Sequence, residues 1–115
     1  MGDCTYQLLI GLTRKTSVAV GRLGVFEFPA GRYIYTGSAK RNLEARIARH
    51  RRADKKLHWH IDYLLAAPQA RLLAVRRFGD SECAINRCTE GAILVPGFGA
   101  TDCRAGCGSH LKYLG

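Results

Sequence analysis

No stretch of this sequence approaches the ~20 consecutive apolar residues that a membrane-spanning helix requires. Nothing in it repeats, and no segment is low in complexity or reads as a linker. Acidic residues are scarce: 9 Asp+Glu stand against 18 Lys+Arg in 115 residues, for a formal net charge of +9. These shortages exclude a membrane span, a repeat array and a multidomain chain. A hydrophobic fraction of 47% excludes a disordered one. What remains is one soluble domain with a core of modest size. Asp3 precedes a short apolar stretch, Leu8-Leu9-Ile10, that is interrupted too soon for the core of a signal peptide, so export is not expected. The cysteines (Cys4, Cys83, Cys88, Cys103 and Cys107) are odd in number in a chain that has a core, which predicts reduced thiols and a cytoplasmic protein.

The positive charge is polarised. Residues 1–57 hold 12 Lys+Arg and 4 acids, whereas residues 58–115 hold 6 and 5. Within the first half, Lys40 to Lys56 carries eight basic residues against Glu44 and Asp54. A concentrated field of one sign is the footprint expected for a polyanion, because neutralised phosphates release counterions. Charge alone also fits a solvated helix face that keeps the protein in solution.

Tyr6–Leu12 and Ser17–Val20 read as strands. After the turn Pro29-Ala30-Gly31, Arg32–Thr36 alternates aromatic and β-branched residues as a further strand should. Gly37 ends it, Ser38 is placed to cap a helix over about Ala39–Arg52, and Leu43 and Ile47 form that helix's apolar stripe. A second helix is expected over about His58–Ala66, stopping before Pro68. Arg71–Phe78 reads as a strand, and Asp80-Ser81 as a turn and cap. Glu82–Glu90 reads as a helix closed by Gly91, Ile93–Val95 as extended chain, and Leu111, Tyr113 and Leu114 as a terminal apolar cluster. The sum is a small α+β domain.

On a helical wheel, Ile47, His50 and Arg46 fall within about 60° of Leu43, so Arg46 and His50 share the inward face. Arg41, Arg49 and Arg52 fall on the far side and are expected to face water. An inward guanidinium is costly without a partner, so Arg46 is either in a structural ion pair or faces a cleft built for an anion. The segment Tyr35–Ala39, including Gly37 and Ser38, would place backbone N–H groups at a helix N-terminus, where a phosphate oxygen is favoured.

Tyr6 in an opening strand, then Tyr33-Ile34-Tyr35-Thr36-Gly37-Ser38-Ala39, then Leu43-x-x-Arg46-Ile47-x-x-His50, resembles the GIY-YIG nuclease domain. The second half is similar to the stand-alone Uri-type endonuclease group, through Gly21-Arg22-Leu23-Gly24, Trp59–Leu64, Glu82-Cys83, Gly97–Cys103 and Ser109-His110-Leu111. The resemblance implies a central, mainly antiparallel sheet flanked by helices, and metal-assisted hydrolysis of DNA phosphodiesters. It makes Tyr6 and Tyr35 cleft residues, with Tyr6 the general base or water-orienting group and His50 the alternative proton acceptor. Arg46 would stabilise charge on the phosphorane, and Glu82 would hold one Mg²⁺, with Mn²⁺ as substitute. Lys40, Arg41, Arg49 and Arg52, with Gly37 and Ser38, would contact DNA backbone. The family's asparagine about a dozen residues after the glutamate is absent, Ile93-Leu94-Val95 standing there instead, so Asp102, Cys103, Ser109 or His110 would complete the site. The rival readings are a non-catalytic nucleic-acid-binding module, zinc-containing or not, and a subunit that works only beside a repair protein.

Some residue groups stand outside this scheme. His58, His60 and Asp62 share a helix start and could bind a metal, though such a set is more commonly a surface hydrogen-bonded one. Cys83-x4-Cys88 with Cys103-x3-Cys107-x2-His110 supplies enough donors for tetrahedral Zn²⁺, yet lacks the tight spacing of a zinc knuckle; the alternative is thiols packed as small apolar groups, with Cys83 and Cys88 facing the sheet. Trp59 and Tyr63 are expected in the core. Tyr33 shares the parity of Tyr35, so a regular strand makes it a second cleft candidate.

Overall fold

Alternation sets the first element. In the computed structural model, which describes residues 4–39, 41–52, 56–100 and 106–115, strand β1 (Thr5–Leu12) buries Tyr6, Leu8, Ile10 and Leu12 on one face. A hairpin follows, β2 (Thr16–Val20) pairing with β3 (Gly24–Phe28) around a single 3₁₀ turn. The chain then returns along β1 as β4 (Gly31–Ser38), with Tyr6 opposite Gly37, Leu8 opposite Tyr35 and Ile10 opposite Tyr33. With β5 (Ala70–Phe78) and β6 (Leu111–Tyr113) these make a four-stranded antiparallel sheet in the order β5-β1-β4-β6. The protein is thus α+β, as expected. Strand β3 was not anticipated, although Phe26 and Phe28 alternate with the exposed Val25 and Glu27. Ile93–Val95 forms no strand; only Ala92 bridges, to Tyr113.

Helix α1 (Leu43–Arg51) buries Leu43, Ile47 and His50 at i, i+4 and i+7, against the Tyr6–Leu8 face of the sheet. Its cap is Asn42, in the left-handed region at φ 52°, whose side chain accepts from the Ala45 N–H at 3.2 Å. Ser38 is therefore not the cap. Sheet pairing prevails over capping chemistry there: Ser38 still pairs with Thr5, and the Ala39 N–H donates to the Cys4 carbonyl at 2.9 Å. Gly37 and Ser38 consequently form no phosphate-cradling loop at a helix start.

Helix α2 is short, His60–Leu65, and buries Ile61, Asp62 and Leu64; His58 and Trp59 precede it. Helix α3 (Glu82–Cys88) begins as expected, Ser81 accepting from the Ala84 N–H at 3.2 Å, but ends at Cys88 because Thr89 is extended. It lies on the other face of the sheet, reached by Thr5 and Gln7: the Thr5 hydroxyl donates to the Asp80 carbonyl and the Gln7 amide to Thr89 Oγ1 at 2.6 Å. No helix among the described residues is long and apolar enough to cross a membrane.

Candidate functional site

Gly37 opens the site. A Cβ on it would lie 2.5 Å from Tyr6 Oη, 2.6 Å from Tyr6 Cζ and 3.0 Å from Tyr35 Cε2, so the Tyr6 ring lies directly across the strand at this point. Tyr6 is thereby turned toward α1, where its Oη and His50 Nε2 share a hydrogen bond of 2.7 Å. The Tyr6 and Tyr35 rings stand 6.4 Å apart and those of Tyr6 and His50 5.3 Å. Burial pushes the Tyr6 phenol up to about 12, against the pull of the charge and hydrogen bond of Arg46. Tyr35 is raised well above its ordinary value, again by burial first. Both phenols are therefore neutral at physiological pH. Which of the two donates in that bond follows the His50 tautomer; in the tautomer with Nε2 as acceptor the ring proton sits on Nδ1, which faces Asp62 Oδ1 at 4.0 Å.

Around Ser38 the two sides of the sheet meet. Arg46, from α1, donates through Nη1 to the Ser38 carbonyl at 2.9 Å. The Ser38 hydroxyl donates to Glu82 Oε1 at 2.7 Å, and His110 Nδ1 lies 2.8 Å from Glu82 Oε2. Burial raises the Glu82 carboxyl, but hydrogen bonds from His110 and Ser38 and the charges of His110 and Arg46 outweigh it and hold the group below the usual carboxylate range. The site thus presents an ionised carboxylate, a guanidinium, two neutral phenols and an imidazole at one strand end. Of the expected residues, Tyr6, Tyr35, Arg46, His50, Glu82, Ser38 and His110 come together here.

Others do not. Arg49 does not face water: it forms a two-pronged pair with the fully buried Asp62, at 2.9 and 3.0 Å, and donates to the Lys56 carbonyl. Its long side chain reaches back across the Trp59 ring, 4.3 Å from the centroid, and Arg46 lies against the same ring at the same distance. Trp59 is half-buried: like Tyr63 it packs against the core as expected, and its ring is also a platform for two guanidinium groups. Tyr33 shares the Tyr35 face but donates to the Pro29 carbonyl at 2.6 Å and packs against Phe28 and Tyr113, away from the cluster, so it is packing and not cleft. The Ser109 hydroxyl donates to the Leu111 carbonyl at 3.2 Å and is structural. Arg41 and Arg52 are exposed, as expected; Lys40, Asp102 and Cys103 lie outside the described residues.

His58, His60 and Asp62 do not form a metal site. Asp62 Oδ2 accepts from the main-chain N–H groups of His58 and Trp59, and His60 Nδ1 accepts from the Gly99 N–H at 2.8 Å. These contacts and the Arg49 pair outweigh the effect of burial and hold the Asp62 carboxyl below its ordinary value. Among the described residues one group can hold a metal ion: Cys83, Cys107 and His110, whose donor atoms lie within 4.8 Å of one another. Cys88 is exposed and outside it; Asn86, not Cys88, is the buried residue of α3.

An α+β domain with a polar cluster at one end of its central strands is the class that fold and site define. Residues 5–115 match the family model of DUF123, a domain of unknown function, and the chain belongs to that family. No curated protein and no solved structure matches it.

Proposed function

We propose that the protein is a metal-dependent endonuclease that hydrolyses DNA phosphodiester bonds with little sequence preference. One observation carries the reading: Tyr6, Tyr35, Arg46, His50 and Glu82, the residues to which the GIY-YIG resemblance gives roles, gather around one strand end, and charged groups reach it from both faces of the sheet. Glu82 suits Mg²⁺, or Mn²⁺ in its place. Its carboxylate is ionised and its side chain is 24% exposed, and Ser38 and His110 take one position on each oxygen, leaving lone pairs on both. Mg²⁺ commonly takes one or two carboxylates and keeps its other positions for water and phosphate. When bound it supplies positive charge at the phosphate oxygens and acidifies water.

The chain's own residues do the rest. Arg46 donates one N–H to Ser38 and directs others at a phosphate oxygen, where negative charge grows as water attacks phosphorus. With His50 in the tautomer whose Nε2 accepts, Tyr6 Oη orients the water and the water's proton passes by way of that hydroxyl to Nε2, while the P–O bond breaks and the departing sugar oxygen takes a proton from solvent. Asp62 faces the imidazolium so formed. Arg51, Arg52 and Arg71 line a groove of about 460 Å³ that His50 also borders. With Arg41 they provide backbone contacts, which position DNA without reading its sequence.

The test is cleavage of labelled single-stranded, duplex and branched DNA in Mg²⁺, Mn²⁺ or EDTA, by wild type, Glu82→Gln and Arg46→Ala. Metal-dependent cutting that falls at least about 100-fold in both variants supports the reading. Binding without cutting on every substrate refutes it and favours a non-catalytic nucleic-acid-binding module.

A further inference from the structure

Two segments distant in sequence bring sulfur and nitrogen donors together behind Glu82. Cys83 sits in the first turn of α3, Cys107 lies between two glycines, and His110 immediately precedes β6. Their donor atoms are within 4.8 Å of one another, both thiols are half-buried and His110 is buried. Gly106 and Gly108 have φ of +73° and +79°, values that L residues rarely adopt, so glycine on both sides of Cys107 permits its backbone placement.

The scaffold around the three is tied. Buried Asn86 of α3 donates to the Ser109 carbonyl at 2.9 Å. The buried Lys112 ammonium of β6 donates to the carbonyls of Asn86 and Thr89 at 3.2 and 3.1 Å. These bonds fix α3 against the tail, and with it Cys83 against His110. The His110 N–H donates to the Phe98 carbonyl and its own carbonyl accepts from Thr36, so the imidazole is carried on an anchored backbone. Nδ1 is turned to Glu82 at 2.8 Å, so a metal held here would be taken by Nε2. A carboxylate on one ring nitrogen and a cation on the other is the arrangement that orients metal-bound histidines.

We propose that Cys83, Cys107 and His110 form a binding site for a thiophilic divalent cation, Zn²⁺ by the nature of the donors, with Glu82 as the positioning residue for His110. Two thiolates and an imidazole suit Zn²⁺ and not Mg²⁺. Tetrahedral Zn²⁺ has Zn–S of about 2.3 Å and Zn–N of about 2.0 Å, which sets donor separations of about 3.5 to 3.8 Å. Closing the cluster to that size asks for movements of about 1 Å. The fourth position is left to water or another donor. The ion would pin α3 to the C-terminal strand, and it does so whether or not the protein cleaves DNA.

The test measures metal in full-length protein purified under reducing conditions, for wild type, Cys83→Ser, Cys107→Ser and, as control, Cys88→Ser. Metal-stripped samples are then titrated with Co²⁺, whose thiolate charge-transfer absorption reports sulfur ligation independently of activity. The proposal expects about one equivalent of zinc and a strong charge-transfer band in wild type and Cys88→Ser, unaffected by excess Mg²⁺. It expects loss of both in Cys83→Ser and Cys107→Ser, and Co²⁺ affinity lowered roughly 10- to 100-fold in Glu82→Gln. Absence of the band in folded wild type, zinc content unchanged in both cluster variants, or Cys83 and Cys107 recovered as a metal-free disulfide overturns it.

Discussion

Asp62→Asn should destabilise the protein far more than its small change of shape suggests. The Asp62 side chain is fully buried and every neighbour donates to it: Oδ2 accepts from His58 N, Trp59 N and Arg49 Nη2, and Oδ1 from Arg49 Nη1. An amide has one accepting oxygen and one donating nitrogen. If its oxygen takes the place of Oδ2, its NH₂ confronts the Arg49 guanidinium; in the reverse orientation it confronts two main-chain N–H groups. Breaking a buried pair from one side costs roughly 3–5 kcal/mol. The Arg49 side chain is 24% exposed, so water reaches part of it and the lower end applies, about 3 kcal/mol. At roughly 4 °C per kcal/mol for a chain of this length, Tm should fall by about 12 °C. Urea unfolding followed by the fluorescence of Trp59, the single tryptophan, measures this directly, since the Arg46 and Arg49 guanidinium groups each lie 4.3 Å from its ring centroid. A midpoint within the equivalent of about 0.5 kcal/mol of wild type would refute the reasoning, for it would mean that Asp62 is not the charge that neutralises Arg49.

Gly37→Ala should displace the Tyr6 ring, because the added Cβ meets Tyr6 Oη and Cζ at 2.5 and 2.6 Å; a loss of about 1–3 kcal/mol in denaturant unfolding is expected, and an unchanged midpoint would show that Tyr6 does not lie over the strand. Glu82 and Asp62 have folded-state values below their unfolded ones, of about 4.3 and 3.9, so their stabilisation is complete above about pH 5 and is lost as pH falls through the folded values. Unfolding free energy measured from pH 7 to pH 3 should decline only in the acid range, with a shallower decline in Glu82→Gln; identical slopes would rule out the Glu82 contribution. Neutralising Arg41, Arg51 and Arg52 together should reduce the salt dependence of DNA binding by up to about 3 in slope, whereas Arg49→Gln should leave it alone and lower stability instead. Equal slopes for the triple variant and wild type would remove that surface from the DNA interface.

What could be read from the sequence followed the range over which each interaction acts. Strand alternation places Tyr6, Leu8 and Ile10 on one face without help from the rest of the chain, and the Ser81 cap of α3 is equally local. The helical wheel was right about Arg46 and His50, because direction alone decides which side of α1 they occupy. It was wrong about Arg49, since a wheel gives direction and not reach. A guanidinium on a long stem can turn back to an acid 13 residues away once α2 is folded beside it. Ser38 carries strong capping chemistry, but strand pairing with Thr5 outlasts it and Asn42 begins the helix. The sequence offered Cys83, Cys88, Cys103, Cys107 and His110 as one candidate zinc set, with Cys107 and His110 close in the chain, but only the packing of α3 on the tail selects Cys83 over Cys88.

The site depends on where β4 stops. A residue inside a sheet has its flanks occupied by neighbouring strands, and charged groups from opposite faces stay about a sheet's thickness apart. At Ser38 the paired strand ends, so the backbone carbonyl is within reach of Arg46 from the α1 side, and the hydroxyl is within reach of Glu82 from the α3 side. A side chain at Gly37 would occupy the space through which Tyr6 and Tyr35 approach each other, so a glycine there is as necessary as the charged groups. Each face then adds its own support: Asp62 stands behind His50 and Arg49, and His110 stands behind Glu82. Damage to the Asp62 side therefore acts on the proton acceptor, and damage to the His110 side acts on the carboxylate.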